Sequence, residues 1–276
     1  MLQREVFPEY RKMCEFNNKF YAELKGLFNL DMDIQELCEI RGYLPDGEQA
    51  LLLDELSIGS CEVLDRELLS DEARKYGYLN TSGYFLLDNR YIIPVRDING
   101  DIVTLIGYFP DIRKYITVPT PFFSKDTMFF NIDDAYIRSW EDYDGVVVLV
   151  EGIFDCLSLR SIGLPAIATM GSDVSFTKKE ILKIFKKVLY IPDNDSVGRR
   201  ALNRYDKQYG WKVPNNAVGI RLSGSVDFND EGEYDESKIL RVKDTDNLVS
   251  WFDMDSVRES ILQFANSREE IVSLEI

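Results

Sequence analysis

Histidine is absent from all 276 residues. That excludes Ser–His and Cys–His nucleophilic catalysis, imidazole acid–base chemistry and the common mixed Cys/His zinc sites. The four cysteines, Cys14, Cys38, Cys61 and Cys156, are scattered without a C-x-x-C pair. No zinc site is therefore expected in this chain, and free, mostly buried thiols are expected rather than disulfides. Apolar runs reach only about six residues, far short of a membrane-spanning helix. The charged start, Met1 to Tyr10, lacks the apolar core of a secretion signal. The expectation is a cytoplasmic protein with no membrane partner. A basic excess is missing too: 32 Lys and Arg against 48 Asp and Glu give a formal net charge of −16. This argues against a non-specific duplex-DNA binder. A local basic groove can still coexist with acidic surface elsewhere, and a metal cluster itself takes up several carboxylates.

What is present divides the chain by texture. Residues 1 to about 75 read as mostly helical, with Phe16, Phe20, Leu24 and Phe28, then Ile34, Leu37, Cys38 and Ile40, at helical spacing. A further helix is expected around Asp65 to Tyr76. From Gly83 to about Phe130 the runs Tyr84–Leu87, Tyr91–Val95 and Ile102–Ile106 read as strands. Asn99-Gly100 is a hairpin turn signal that Asp97 and Ile98 could lengthen. The prolines of Thr117–Phe123 favour an extended path.

Residues 144–222 alternate strand and helix: strand Val146–Val150, helix Phe154–Ser161, strand Ala166–Thr169, and a helix opened by a Thr177–Glu180 capping box and running through Lys187. Strand Val188–Ile191, helix Val197 to about Gln208 and strand Val218–Leu222 follow. This order predicts an α/β unit, a Rossmann-like parallel sheet flanked by helices. The expected division is 1–143, a mixed α+β subdomain; 144–222, the parallel-sheet domain; and 223–276, an acidic turn followed by a small helical segment around Leu248–Ser267.

Carboxylates stand where such sheets bind ligands, just past the carboxyl ends of strands. Val146–Val150 delivers Glu151-Gly152 and then Asp155. Val188–Ile191 leads through Pro192 to Asp193-Asn194-Asp195, with Gly198 opening the next helix. Lys243-Asp244-Thr245-Asp246 comes later. Either strand-end element alone reads as well as an ordinary acidic helix start. Together, carboxylates converging at one rim need a divalent cation to offset their repulsion, and oxygen ligands favour Mg²⁺ or Mn²⁺. Phosphoryl or nucleotidyl chemistry follows. The lysines Lys178, Lys179, Lys183, Lys186 and Lys187 could track a nucleic-acid backbone, but a solvated helix face is the preferred reading.

Taken in order, these elements resemble the Toprim domain, shared by bacterial-type primases, type IA and type II topoisomerases and some nucleases. The flanks resemble the catalytic core of bacterial DnaG-type primases. Asp193-Asn-Asp-Ser-Val-Gly-Arg-Arg-Ala201 is similar to their D-x-D-x-A-G-x-x-A segment, with Val197 in place of Ala. Asn89-Arg90-Tyr-Ile-Ile-Pro-Val-Arg-Asp97 resembles N-R-I-x-F-P-I-x-D. Lys114-Tyr-Ile-Thr-Val-Pro119 through Lys125 resembles P-K-Y-L-N-S-P…F-x-K, and Lys243–Val249 resembles K-D-P-D-E-x-x.

The resemblance implies that Glu151, Asp193 and Asp195 are the central catalytic metal-binding carboxylates, with Asp155, Asp244 and Asp246 as outer or second-metal groups. Two or more Mg²⁺ or Mn²⁺ ions would activate the attacking 3′-hydroxyl and stabilise the leaving pyrophosphate. It also implies that Arg90, Lys114 and Lys125 contact NTP or template, with Gly152 and Gly198 allowing close backbone approach. The partners implied are single-stranded DNA template and NTPs. The family's G-G-R is replaced by Gly107-Tyr108-Phe109, so one cation is missing unless Arg113 substitutes. No zinc-binding or helicase-binding domain is recognisable, as in a core from a phage or mobile element, or one served by a separate zinc-module or helicase protein. The expected function is primer synthesis. The alternatives are a Toprim nuclease and a non-catalytic, primase-like replication partner.

Overall fold

The computed structural model describes residues 8–61, 69–118, 124–171, 174–195, 217–223, 225–227, 239–241, 243–267, 269 and 271–275. They divide into two compact units, Met1–Ser124 and Lys125–Ile276.

In the first unit, helix α1 (Pro8–Lys25) buries Tyr10, Met13, Cys14, Asn17, Phe20, Tyr21 and Leu24, the three- and four-residue spacing of an amphipathic helix. Asn17 ties that face to strand β3 (Ile102–Phe109). Its amide donates to the carbonyls of Ile102 and Val103 at 3.1 and 3.0 Å, and its oxygen accepts from Tyr78 Oη at 2.9 Å. Every polar atom of this buried amide thus has a partner, as burial demands. Helices α2 (Leu30–Arg41) and α3 (Glu48–Glu55) follow. Gly42, at φ +74°, ends α2 and returns its N–H to the last turn, a conformation that glycine adopts at little cost. Helix α4 (Asp71–Lys75) starts at Ser70, whose hydroxyl accepts from the Ala73 N–H. The remainder of the helix expected over 65–76 falls partly outside the described residues.

Strands β1 (Gly59–Ser60), β2 (Tyr91–Arg96), β3 and β4 (Lys114–Thr117) form an antiparallel sheet in that order. The β2–β3 turn is longer than Asn99-Gly100 alone. The Asp97 carboxylate accepts the N–H groups of Asn99 and Asp101, and the Tyr10 hydroxyl donates to it at 2.8 Å. Tyr84–Leu87 is not a strand: only an isolated bridge, Leu79 to Phe85, forms there. Phe85 and Leu87 are buried as part of a turn, while Tyr84 is exposed.

The second unit is built on a five-stranded sheet in the order β11-β8-β7-β5-β6, every neighbouring pair parallel. The strands are β5 (Val146–Val150), β6 (Ala166–Ala168), β7 (Lys187–Tyr190), β8 (Ala217–Ser223) and β11 (Ile271–Glu275). Between β8 and β11 lies a hairpin of β9 (Ser225–Asp227) and β10 (Ile239–Arg241). The expected α/β class with a parallel sheet is what is found. The chain's last strand also enters that sheet, beside β8, where sequence gave only helix and acidic turn. The helix expected over Val197–Gln208 lies outside the described residues.

Helix α5 (Ile132–Asp142) seats Ile132 and Ala135 in one core with Val147, Leu149 and Ile167 of the sheet. Helix α6 (Ile153–Ser161) is buried from Ile153 to Arg160, because strands β5 and β6 and helix α8 (Thr245–Trp251) pack around it. A helix enclosed on all sides must pair its polar residues internally. Arg160 does so with Asp134, its Nε 3.1 Å from Oδ2, and with Asn131. Helix α7 (Phe176–Leu182) is capped by Ser175, which accepts from the Lys178 N–H at 3.2 Å. Thr177 is therefore not the cap, and the helix ends before Lys187, which already belongs to β7. Helix α9 (Met254–Leu262) completes the unit.

Candidate active site

Strand register sets the site. β5 lies between β6 and β7, with Val150 beside Ala168 and Leu149 beside Tyr190. One residue further on, Glu151 stands between Thr169 at the end of β6 and the Ile191-Pro192-Asp193 exit of β7. The Ile191 N–H still bonds to Leu149 O at 2.8 Å, and the Thr169 N–H to Val150 O at 2.9 Å. Glu151 and Asp193 thus leave neighbouring strands at the same, carboxyl, edge of the sheet, and both are half-buried.

Asp155 lies in the first turn of α6. Its Oδ1 accepts from the Thr245 hydroxyl at 3.2 Å and the Asp246 N–H at 3.1 Å. Asp246 in turn accepts from Ser158 Oγ at 2.5 Å. These bonds join α6 to the start of α8. Asp244 caps that helix, accepting the Asn247 N–H at 2.9 Å. The Asn194 N–H donates to Lys243 O, which ties the Asp193–Asp195 loop to the same segment. Gly152 is where this arrangement needs a glycine. A Cβ there would lie 2.2 Å from Asp155 Oδ2, so the Asp155 carboxylate occupies the space a side chain would take.

The carboxylates act on one another. Burial pushes the Asp155 carboxyl well above the usual carboxylate range, reinforced by the charges of Asp244, Asp193 and Asp246. Burial also raises Asp193, to about 6, with Asp244 and Asp195 adding to the effect and Lys243 opposing it. The structure therefore brings Asp155, Asp193, Asp195, Asp244 and Asp246 into one field, from three separate stretches of chain. The donor set suits a hard divalent cation: the candidate ligands are all carboxylate oxygens, and at Asp155 and Asp193 the neighbouring acids add to burial in raising the carboxyl. Among the described residues no three carboxylates already form a closed cation cage. Arg90 and Lys114 belong to the first unit and Lys125 opens the second, exposed. Gly198 lies outside the described residues.

Three contributors were not legible as such in the sequence. Thr245 and Ser158 carry the bonds that hold Asp155 and Asp246, and no motif marks hydroxyls for that role. Lys178, read from sequence as one of a solvated row, is 1% exposed. Its ammonium donates to Thr169 O at 2.5 Å and lies 5.3 Å from the Phe129 ring centre. Thr169, the residue just after β6, is the one whose hydroxyl reaches the Val150 and Glu151 carbonyls. Three of the other four lysines have partners within the protein: Lys183 with Glu180, Lys186 with Asp144, and Lys187 with Ser267 O. They do not form a free stripe.

Comparison with known proteins agrees with this geometry. Residues 148–231 match a family model described as Toprim-like. Over 210 residues the chain is 33% identical to the DNA primase of Thermotoga maritima, covering 72% of this chain and 35% of that protein. The chain thus spans about a third of that relative. Among solved structures, the RNA polymerase domain of Mycobacterium tuberculosis primase DnaG superposes with a TM-score of 0.67 at 17% identity, over 94% of this chain and 87% of that one. A DnaG primase catalytic domain bound to single-stranded DNA gives 0.65 at 18% identity, over 94% and 83%. At such identities these two likenesses establish the fold alone.

Proposed function

We propose that this chain, which matches a Toprim-like family model over residues 148–231, is similar to bacterial DNA primases and is folded like a DnaG catalytic core, is a primase-like nucleotidyltransferase making short primers on single-stranded DNA. The observation that carries this reading is the shared electrostatic field of Asp155, Asp193, Asp195, Asp244 and Asp246 at the sheet edge where Glu151 emerges. Bound Mg²⁺ or Mn²⁺ would supply Lewis-acid activation of the 3′-hydroxyl and charge neutralisation of the leaving pyrophosphate.

The protein's own groups divide the remaining work. Glu151, Asp193, Asp195 and Asp244 would hold the cations. Asp155 and Asp246 have oxygens committed to Thr245, Ser158 and the α8 backbone, and would keep α8 and its Asp244 in place. Arg90, Lys114 and Lys125 would hold triphosphate or template phosphates as cationic clamps. A separate zinc-module or helicase protein would supply template selection. The commitment of Asp155 and Asp246 to protein donors favours, as a second reading, a non-catalytic primase-like partner.

Incubation with single-stranded template, labelled NTPs and Mg²⁺ or Mn²⁺ decides between them. Primer products that disappear in Glu151→Gln are expected. Shortened template would instead indicate a nuclease, and no product with either metal the non-catalytic partner.

A further inference from the structure

One face of the first unit's sheet carries an arrangement that phosphate binding alone does not require. Tyr91 pairs with Tyr108, and Phe109 pairs with Lys114. Directly opposed residues of antiparallel strands project to the same side. Arg90, one residue before β2, therefore falls beside Phe109, and Lys114 flanks Phe109 on the other side. With strands about 4.8 Å apart the row Arg90–Phe109–Lys114 spans roughly 10 Å.

Arg90 is held in place within it. Its guanidinium carbon lies 5.3 Å from the centre of the Phe109 ring, and its Nε donates to Leu86 O at 3.2 Å. Its stem fills the space left by Gly107, where a Cβ would come within 2.7 Å of Arg90 Cδ. The planar cation is thus locked against an aromatic ring before any ligand arrives, which lowers the entropy lost on binding.

The row is also cationic at both ends. On α1 and α4, Arg11, Lys12, Lys19 and Lys75 are paired with Glu15, Glu9 and Glu23. Among the described residues no carboxylate forms an ion pair with Arg90 or Lys114, in a chain where acids outnumber bases 48 to 32. An anion from outside the chain is the natural partner for these two cations, and the aromatic centre adds a preference for a flat, polarisable group. Alternating cations and aromatic rings are how single-stranded nucleic acid is held, phosphates on the cations and bases on the rings. A duplex hides its base faces in the stack and cannot use the ring.

We propose that Arg90 and Phe109 form a stacking platform for an unpaired nucleobase, with Lys114 holding an adjoining phosphate. The platform rests on the reading that the chain works on single-stranded DNA. It adds that binding at this sheet is part stacking, through the Phe109 that stands where a further cation was expected.

The test uses the full chain and fluorescence anisotropy with two labelled probes, an oligo(dT) of about 15 nucleotides and an abasic strand of equal length. The wild type should bind oligo(dT) roughly tenfold tighter than the abasic strand. Phe109→Leu should abolish that preference, and Phe109→Tyr should keep it. Lys114→Ala should weaken both probes alike and reduce the slope of log affinity against log salt by about 0.7. Arg90→Lys, which keeps the charge but loses the plane, gives a second route should Phe109→Leu fail to fold, and it too should lower the preference. Equal binding of the two probes by the wild type, or an undiminished preference in Phe109→Leu or Arg90→Lys, would overturn the platform. Base preference without primer products would leave the platform standing and contradict the catalytic reading; primer products without base preference would do the reverse.

Discussion

Asp193 serves two ends that oppose each other. In the unfolded chain its carboxyl ionises near its ordinary value of 3.8, and in the folded chain burial and neighbouring acids raise it to about 6. The folded state therefore loses nothing below about pH 4. The cost of holding the charge grows as pH rises from about 4 to 6 and stays in full above that. Asp193→Asn should stabilise the metal-free chain at pH 7.5 by roughly 1–2 kcal/mol, the shift being discounted for partial exposure. At pH 4 it should change little. Urea titrations at the two pH values read this directly, and a variant no more stable than wild type at pH 7.5 would refute it.

Gly152→Ala forces a methyl group against Asp155 Oδ2 and should cost about 1–3 kcal/mol. Gly171→Ala meets nothing within 4 Å and should stay within about 0.5 kcal/mol. Thermal melts of the pair separate crowding at Asp155 from a general glycine effect. Lys178→Met removes the donor to the Thr169 carbonyl and should cost about 1–3 kcal/mol, whereas Lys183→Met disrupts only an exposed pair and should be nearly silent. Residue types were legible at this scale, but burial was not. Nothing in Thr177-Lys-Lys-Glu180 separates the enclosed Lys178 from the half-buried Lys179 beside it.

Helices α6 and α8 behave as one latch. Ser158 and Asp155 on the first hold Asp246 and the opening turn of the second. Ser158→Ala should speed hydrogen exchange of the α8 amides, Thr245–Trp251, while leaving β5 amides unchanged; equal protection in both proteins would show that the latch carries no load. The latch also shows what a linear sequence conceals. Strand β5 was legible because five consecutive apolar residues fit only a strand covered on both faces. Strand β11 was not, because its Ile-Val-Ser-Leu-Glu run is short and its partner β8 lies about fifty residues earlier in the chain. Tyr84–Leu87 shows the converse: apolar side chains suited to a strand, in a segment that forms one isolated bridge and no ladder. The carboxylates at the strand ends were readable because the position of a turn follows from the strand before it. Their hydroxyl partners depended on which helices pack together.

At the scale of the whole molecule, a net charge of −16 repels phosphate unless it is offset locally. The chain makes two kinds of exception: Arg90 and Lys114 on the sheet of its first unit, which no carboxylate among the described residues pairs with, and an acidic rim in its second that divalent cations would neutralise. No helix among the described residues is long and apolar enough to cross a membrane. The acidic rim is the central claim. Its most direct test is titration of the metal-free chain with Mn²⁺, reading free Mn²⁺ by electron paramagnetic resonance, in wild type, Glu151→Gln and Asp193→Asn. Wild-type binding weakened about tenfold or more in each variant is the predicted result; the same affinity in all three proteins would contradict it.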